Sequence, residues 1–148
     1  MASLSKLLVE CRVLELESSE RDAVLDELCR RAASVMDLDA AALLKAVRER
    51  EELSSTGFGD GLAMPHVRLP AAKDVQVVFG RARSGVDFDA LDGAPVHLFL
   101  LVVGAEADRG SYQKVMARAA RFLKGEGPGL KGCDGDLTQA VLAASESY

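Results

Sequence analysis

The chain has 148 residues, of which 49% are hydrophobic and 28% charged, a balance typical of one globular domain spanning 1–148. Its formal net charge of −5 at pH 7 argues against nucleic-acid binding, because a phosphate backbone requires a basic face. The longest apolar run, Leu98 to Val103, is far shorter than the roughly 20 residues that span a bilayer. Residues Met1 to Lys6 lack a signal-peptide pattern. We therefore expect a cytoplasmic protein with no direct membrane insertion.

No metal or cofactor is predicted. Cys11, Cys29 and Cys133 are odd in number and lack paired spacing, which indicates free thiols in a reducing compartment. The aspartates of 87–92 have no acidic partner at the twelfth position of a calcium loop, and we interpret them as turn residues. The glycines of 57–61 lack the spacing of a nucleotide-binding loop.

The first third of the chain predicts one strand and two helices. Residues 12–17 alternate apolar and polar side chains, which is typical of a short half-buried strand. The serine pair at 18–19 provides candidate N-cap oxygens for a helix with a single apolar face. Asp37 or Asp39 can cap a second helix that runs to about Glu51.

The middle of the chain predicts loops and strands. Residues 54–61 hold too many glycines for a helix and predict a tight loop. Short strands are predicted at 62–64, where Pro65 ends the run, and at 75–80. The apolar stretch 96–103 is typical of a central strand covered on both faces.

The last third of the chain predicts two helices. Apolar spacing predicts a third helix over 111–124 and a last one from about 136 to 144. Between them, residues 125–135 contain five glycines and one proline, and predict a flexible loop. Because strands alternate with helices, though not strictly, we expect an α/β fold with a mixed sheet flanked by helices.

The candidate reactive group is His66, one of two histidines in the chain. It follows the glycine-rich loop and Pro65 in the string GFGDGLAMPH. An imidazole is a good temporary phosphoryl acceptor, because one ring nitrogen is a nucleophile near neutral pH. The glycines upstream are expected to bring backbone N–H groups close to an anion. The second histidine, His97, is interpreted as a packing residue.

The segment 50–66, REELSSTGFGDGLAMPH, resembles the active-site signature of the fructose/mannitol-type enzyme IIA domains. These belong to the bacterial phosphoenolpyruvate-dependent sugar phosphotransferase system and include its stand-alone nitrogen-regulatory branch. A second block, 85–96, is similar to the turn and central strand of that family, and the likeness extends over roughly 4–124.

The resemblance implies an α/β fold with a mixed, mainly parallel sheet of about five strands flanked by helices. It also implies that His66 accepts a phosphoryl group at Nε2 from the histidine-containing phosphocarrier protein and passes it to a IIB domain. Arg50 matches the family arginine that lies near the histidine, where a guanidinium grips phosphate oxygens. Thr56 and the glycines after it would shape the same pocket.

Two departures from the family pattern leave alternatives open. Val67 stands where glycine is common, and its branched side chain is expected to add bulk beside the site. No histidine occurs at 111–114, near the start of the third helix, where many members have one; Tyr112 or Gln113 are candidate substitutes. The alternative function is therefore a non-catalytic regulatory binding protein of the nitrogen-regulatory type, acting on a regulated protein, and a member that keeps only the fold is a third possibility.

Overall fold

The computed structural model describes residues 3–9 and 11–148; Glu10 lies outside them, as do Met1 and Ala2 of the segment without a signal-peptide pattern. The described helices are α1 (Leu4–Leu7), α2 (Arg21–Met36), α3 (Ala40–Leu53), α4 (Arg109–Lys131) and α5 (Leu137–Ser145). The described strands are β1 (Val13–Glu15), β2 (Gly57–Gly59), β3 (Leu62–Ala63), β4 (His66–Leu69), β5 (Gln76–Val86) and β6 (Val96–Ala105). No helix in this part of the chain is long and apolar enough to cross a membrane.

The strands form one six-stranded sheet in the order β1-β5-β6-β3-β2, with β4 also paired to β6. The pairs β1–β5, β3–β6 and β4–β6 are parallel, whereas β5–β6 and β2–β3 are antiparallel. The predicted fold class, an α/β domain with a mixed sheet flanked by helices, is therefore confirmed. β5 continues past the predicted end of its strand at residue 80, since its antiparallel pairing with β6 persists there.

Two layers of helices enclose the sheet, and β6 separates two cores. Side chains alternate along a strand, so Phe99 and Leu101 pack with α2 and α3. Leu98 and Leu100 face the opposite way, into the core formed with α1, α4 and α5. All four side chains are completely buried, which confirms the prediction of a central strand covered on both faces.

β3 and β4 are two halves of one interrupted strand. Both pair with β6 in the same parallel register, in which Leu62 lies opposite Leu98 and His66 opposite Val102. Pro65 has no N–H to donate to the sheet, but its carbonyl accepts the N–H of Val102 at 2.9 Å. The interruption therefore places His66 at the first position of β4, in a fixed register with the central strand.

The helix starts differ partly from the predictions. The serines at 18–19 do not cap α2; its N-cap is Glu20, without a side-chain bond, and the Ser18 N–H donates to Glu27 at 2.8 Å. Asp39, one of the two candidates, caps α3 by accepting the N–H of Ala41 at 3.1 Å. The other candidate, Asp37, ends α2 in the left-handed conformation.

The predicted loop over 125–135 is wrong as far as Lys131, where α4 ends, and is confirmed only for 132–135. Gly127 lies against the sheet, where a Cβ would come within 2.9 Å of the Leu62 Cδ2 atom. The buried Arg81 guanidinium donates to the carbonyls of Leu130 at 3.0 Å and Cys133 at 2.6 Å, and so secures the end of the helix. Gly127 permits close packing of α4 on β3, whereas in the sequence a group of glycines predicts a loop.

Gly129 and Gly127 provide a matched test of this helix. Nothing lies within 4 Å of a Cβ built at Gly129, so Gly129→Ala is expected to raise the free energy of unfolding by about 1 kcal/mol through helix propensity. Gly127→Ala crowds Leu62 and is expected to be less stable than Gly129→Ala by about 1–2 kcal/mol. Urea denaturation of both variants measures the difference; equal changes would contradict a helix packed on β3.

Candidate functional site

His66 lies half-buried at the start of β4, with its ring held by a backbone carbonyl. Its Nδ1 atom is 2.8 Å from the carbonyl oxygen of Met64. A carbonyl oxygen accepts only, so Nδ1 carries the hydrogen, and Nε2 of the neutral ring keeps its lone pair. The local chain thus selects one tautomer and leaves the lone pair on Nε2.

The surroundings of His66 favour its neutral form. Burial is the main cause that lowers the pKa of His66 below its ordinary value of 6.5, and the positive charge of Arg50 adds to this. The hydrogen bond to Met64 acts in the opposite direction and raises the pKa. The net lowering keeps the imidazole unprotonated near neutral pH, as a nucleophilic role requires.

Arg50 lies near the end of α3, and its positive charge contributes to the lowered pKa of His66. Its Nη1 atom donates to the carbonyl of Ser54 at 2.9 Å, which holds the half-buried side chain against the helix end. The same guanidinium adds to the lowering of the His66 pKa and partly opposes the burial that raises the pKa of Tyr112. Arg50, the second site residue that the sequence proposed, is thus close enough to act electrostatically on His66, while its hydrogen bond goes to the Ser54 carbonyl.

Two further groups, Arg68 and Tyr112, lie beside His66. Arg68 is two residues along β4 and therefore on the same face of the strand. The rings of His66 and Tyr112 have centroids 6.5 Å apart, and the Arg68 Cζ atom is 5.8 Å from the centre of the Tyr112 ring, a cation–π distance. Strand alternation after His66 was a signal for Arg68 that the sequence analysis missed, whereas Tyr112 was among its candidates.

Gly104 lets Tyr112 approach the sheet. A Cβ at Gly104 would lie only 2.2 Å from the Tyr112 Cδ1 atom, so the ring rests on bare backbone of β6. Arg68 is the register partner of Gly104 across the β4–β6 pair. Burial raises the pKa of the Tyr112 hydroxyl, which therefore stays protonated near neutral pH and able to donate a hydrogen bond.

Gly59 and Gly61, two of the glycines expected near an anion, lie in a turn away from His66. They build the β2–β3 hairpin, and Gly59 and Gly61 adopt positive φ angles of 98° and 77° in its turn. A Cβ at Gly61 would lie 3.5 Å from His97, whose own N–H donates to the Gly61 carbonyl at 2.8 Å. His66 pairs with Val102, which lies five residues beyond His97 on β6. At the usual rise per strand residue, His66 is therefore about 16 Å from the Gly61 end of the hairpin.

Thr56 is the part of this segment that lies near the histidine. It is buried, its N–H and hydroxyl both donate to Glu51, and its carbonyl accepts the N–H of Met64 at 3.1 Å. Thr56 therefore supports the backbone that carries His66.

Val67 and His97 take structural positions. Val67 packs against the core on the α2 and α3 side of the sheet, so it adds no bulk beside the imidazole, contrary to expectation. The Nδ1 atom of His97 lies 3.1 Å from the Ala82 carbonyl and 3.2 Å from that of Arg83. This supports the interpretation of His97 as a packing histidine, at the opposite end of β6.

The described residues contain no group of three or more His, Cys, Asp or Glu side chains that could hold a metal ion. Cys11, Cys29 and Cys133 are free thiols. Asp92 accepts the N–H groups of Asp60 and Ala94, which confirms its predicted role in a turn.

The chain is similar in sequence to several known proteins. A family model described as "Phosphoenolpyruvate-dependent sugar phosphotransferase system, EIIA 2" matches residues 6–127. A fructose-specific EIIABC component from Bacillus subtilis is 33% identical over 76% of this chain but only 18% of its own length. A nitrogen regulatory protein from Bradyrhizobium diazoefficiens is 32% identical over 74% of this chain and 71% of its own length.

The fold also matches a solved structure. The crystal structure of nitrogen regulatory protein IIA-Ntr from Neisseria meningitidis superposes with a TM-score of 0.82 and 27% sequence identity. The match covers 95% of this chain and 93% of that one. The α/β architecture is therefore shared over nearly the whole chain.

The lowered pKa of His66 predicts a specific pH dependence. In the unfolded chain the imidazole takes up a proton near pH 6.5, whereas in the folded state it does so only at lower pH. Its contribution to stability is therefore fully present above pH 6.5 and is lost as the pH falls through the folded pKa. Comparing urea denaturation of the wild type and His66→Gln across this window measures the loss, and NMR titration gives the folded pKa. A folded pKa at or above 6.5 would contradict the described environment.

Proposed function

Because the chain belongs to the EIIA 2 family of the phosphoenolpyruvate-dependent sugar phosphotransferase system, we propose that it is a phosphocarrier that takes a phosphoryl group on His66. It accepts the group from the histidine-containing phosphocarrier protein and passes it to a IIB domain or uses it as a regulatory signal. A cytoplasmic location is part of this proposal. The observation that carries it is the Met64 carbonyl bond, which leaves Nε2 of His66 as the lone-pair nitrogen.

The transfer step follows from this tautomer. The Nε2 lone pair of His66 attacks the phosphorus of the donor's phosphohistidine, and an N–P bond forms as the donor's N–P bond breaks in line. The electron pair of the broken bond returns to the donor imidazole. Positive charge develops on the His66 ring, and the Nδ1–H bond to Met64 stabilises it. Passing the phosphoryl group onward reverses the same step.

Phosphoryl transfer also requires stabilisation of the negative charge on the phosphoryl oxygens, and the positively charged groups near His66 can provide it. A guanidinium grips two such oxygens with parallel N–H bonds, and Arg50 is the proposed catalytic residue for this role. Arg68 places a second guanidinium on the same face of β4 as His66, and its stacking on Tyr112 limits its freedom. The neutral Tyr112 hydroxyl is a further donor beside the imidazole.

The alternative is a non-catalytic regulatory binding protein of the nitrogen-regulatory type. What supports it is that the Bradyrhizobium relative, at 32% identity, and the Neisseria structure, at a TM-score of 0.82, are both nitrogen regulatory proteins. Under this alternative, the chain controls a regulated protein by binding it, without transferring a phosphoryl group to it. A regulated protein that binds equally well to wild type and His66→Ala would favour this role.

Phosphorylation of His66 can be tested directly. Incubation with labelled phosphoenolpyruvate, enzyme I and the phosphocarrier protein is expected to give an acid-labile label on the wild type. His66→Ala should carry no label, whereas His97→Ala, the matched control at the other histidine, should be labelled normally. An unlabelled wild type, or a labelled His66→Ala, would contradict the proposal. Release of the label to a IIB domain would support transfer over purely regulatory use.

Arg50→Lys tests the proposed hydrogen bonds between the Arg50 guanidinium and the phosphoryl oxygens. Lysine keeps the charge but loses the paired N–H geometry, and a charge-assisted hydrogen bond is worth about 1.5–3 kcal/mol. The rate of phosphoryl uptake is therefore expected to fall roughly ten- to a hundredfold. Arg48→Lys, an exposed position on the same helix, is the control and should keep the wild-type rate. Equal rates in the two variants would remove Arg50 from the mechanism.

A further inference from the structure

Glu51 is a buried carboxylate that the transfer step itself does not use. It follows Arg50 on α3, and only 4% of its surface is exposed. Both of its oxygens accept hydrogen bonds from Thr56: Oε2 accepts the backbone N–H at 3.1 Å, and Oε1 accepts the hydroxyl. Thr56 is itself 7% exposed, so this paired contact lies out of water, between the end of α3 and the start of β2.

Burial and hydrogen bonding act on the pKa of the Glu51 carboxyl group in opposite directions. Burial raises the pKa of Glu51, while the two bonds from Thr56 and the charges of Arg50 and Arg21 act in the opposite direction. A buried carboxyl group is costly unless its oxygens are hydrogen-bonded, and Thr56 supplies a donor to each one. Glu51 therefore ties its own position to that of Thr56.

From Thr56 the hydrogen bonds continue to the imidazole. The Thr56 carbonyl accepts the N–H of Met64 at 3.1 Å, and the Met64 carbonyl accepts Nδ1–H of His66 at 2.8 Å. Met64 thus uses its N–H on the Thr56 side and its carbonyl on the His66 side. Thr56 is therefore bonded directly to the residue whose carbonyl selects the tautomer of His66.

We propose that Glu51 is a positioning residue: through Thr56 and Met64 it fixes the Nδ1–H tautomer and the orientation of the His66 ring. The effect on phosphoryl transfer rests on the proposed function, whereas the effect on the tautomer rests on the hydrogen bonds alone. One turn of α3 then serves the site twice, since it carries Arg50, the proposed phosphoryl-binding residue, and Glu51, which secures the backbone next to His66.

The role of Glu51 depends on its acceptor geometry. Glu51→Ala leaves the N–H and the hydroxyl of Thr56 without their acceptors in a buried place, so the segment relaxes. Glu51→Gln keeps the chain of bonds, because the amide oxygen accepts the Thr56 N–H and the amide NH2 donates to the hydroxyl. Thr56→Val removes only the hydroxyl donor at nearly constant volume.

The test measures ring tautomer and transfer rate separately. Nitrogen NMR shifts of His66 report the tautomer with no phosphoryl donor present, and the labelling assay gives the rate. We expect Glu51→Ala to produce a mixture of tautomers and a rate about tenfold lower or more, by analogy with residues that orient histidine ligands. Thr56→Val should change both measurements in the same direction, by a few-fold in rate. Glu51→Gln should recover most of the wild-type behaviour.

Glu52→Ala is the matched control, because Glu52 is the next residue of α3 and its side chain is exposed. It should leave the tautomer and the rate unchanged. The proposal is overturned if folded Glu51→Ala keeps the wild-type nitrogen shifts, or if its rate falls while the tautomer does not change. Failure of Glu51→Gln to recover the tautomer would also overturn it. If Glu51→Ala does not fold, Thr56→Val decides by the same two measurements.

If the wild type takes up no phosphoryl group, the proposed function fails. The nitrogen shifts then still decide whether Glu51 positions the ring, so the two failures are distinguishable.

Discussion

The hydrogen bond from Nδ1 of His66 to the Met64 carbonyl, 2.8 Å long, is the interaction on which the site depends. It decides which ring nitrogen carries the proton, and so which nitrogen holds a lone pair. Because the acceptor is backbone only two residues away, the bond exists wherever residues 64–66 keep their conformation. That conformation is held by Thr56, which receives the Met64 N–H, and by Val102, which donates to the Pro65 carbonyl.

The proline explains why β3 and β4 are separate strands in one register. A residue with an N–H at this position could continue the ladder and pass straight into β4. With Pro65 the ladder is interrupted immediately before His66, and the peptide groups on either side take other partners. The same central strand, β6, receives the Pro65 carbonyl and carries Gly104, on which Tyr112 rests. β6 therefore fixes the register of His66 and leaves room for Tyr112 next to it.

Charge around His66 differs from the charge of the whole chain. The formal net charge is −5, yet two guanidinium groups lie near the imidazole, Arg50 from the end of α3 and Arg68 from β4. The nearby acid, Glu51, is buried and bonded to Thr56. A local concentration of positive charge in an acidic protein favours an anionic ligand at this point while the remaining surface repels polyanions.

The sequence by itself determined the α/β class, the central strand and most of the helices, because these depend on short-range patterns of side chains. Only the tertiary structure decided what the glycines do: Gly127 and Gly104 allow close packing, and the hairpin glycines turn a chain far from His66. The same residue type signals a loop or a close contact, and the difference lies in what packs against it. The pairing of Arg68 with Tyr112, and the path from Glu51 to His66, likewise join residues through contacts between separate elements.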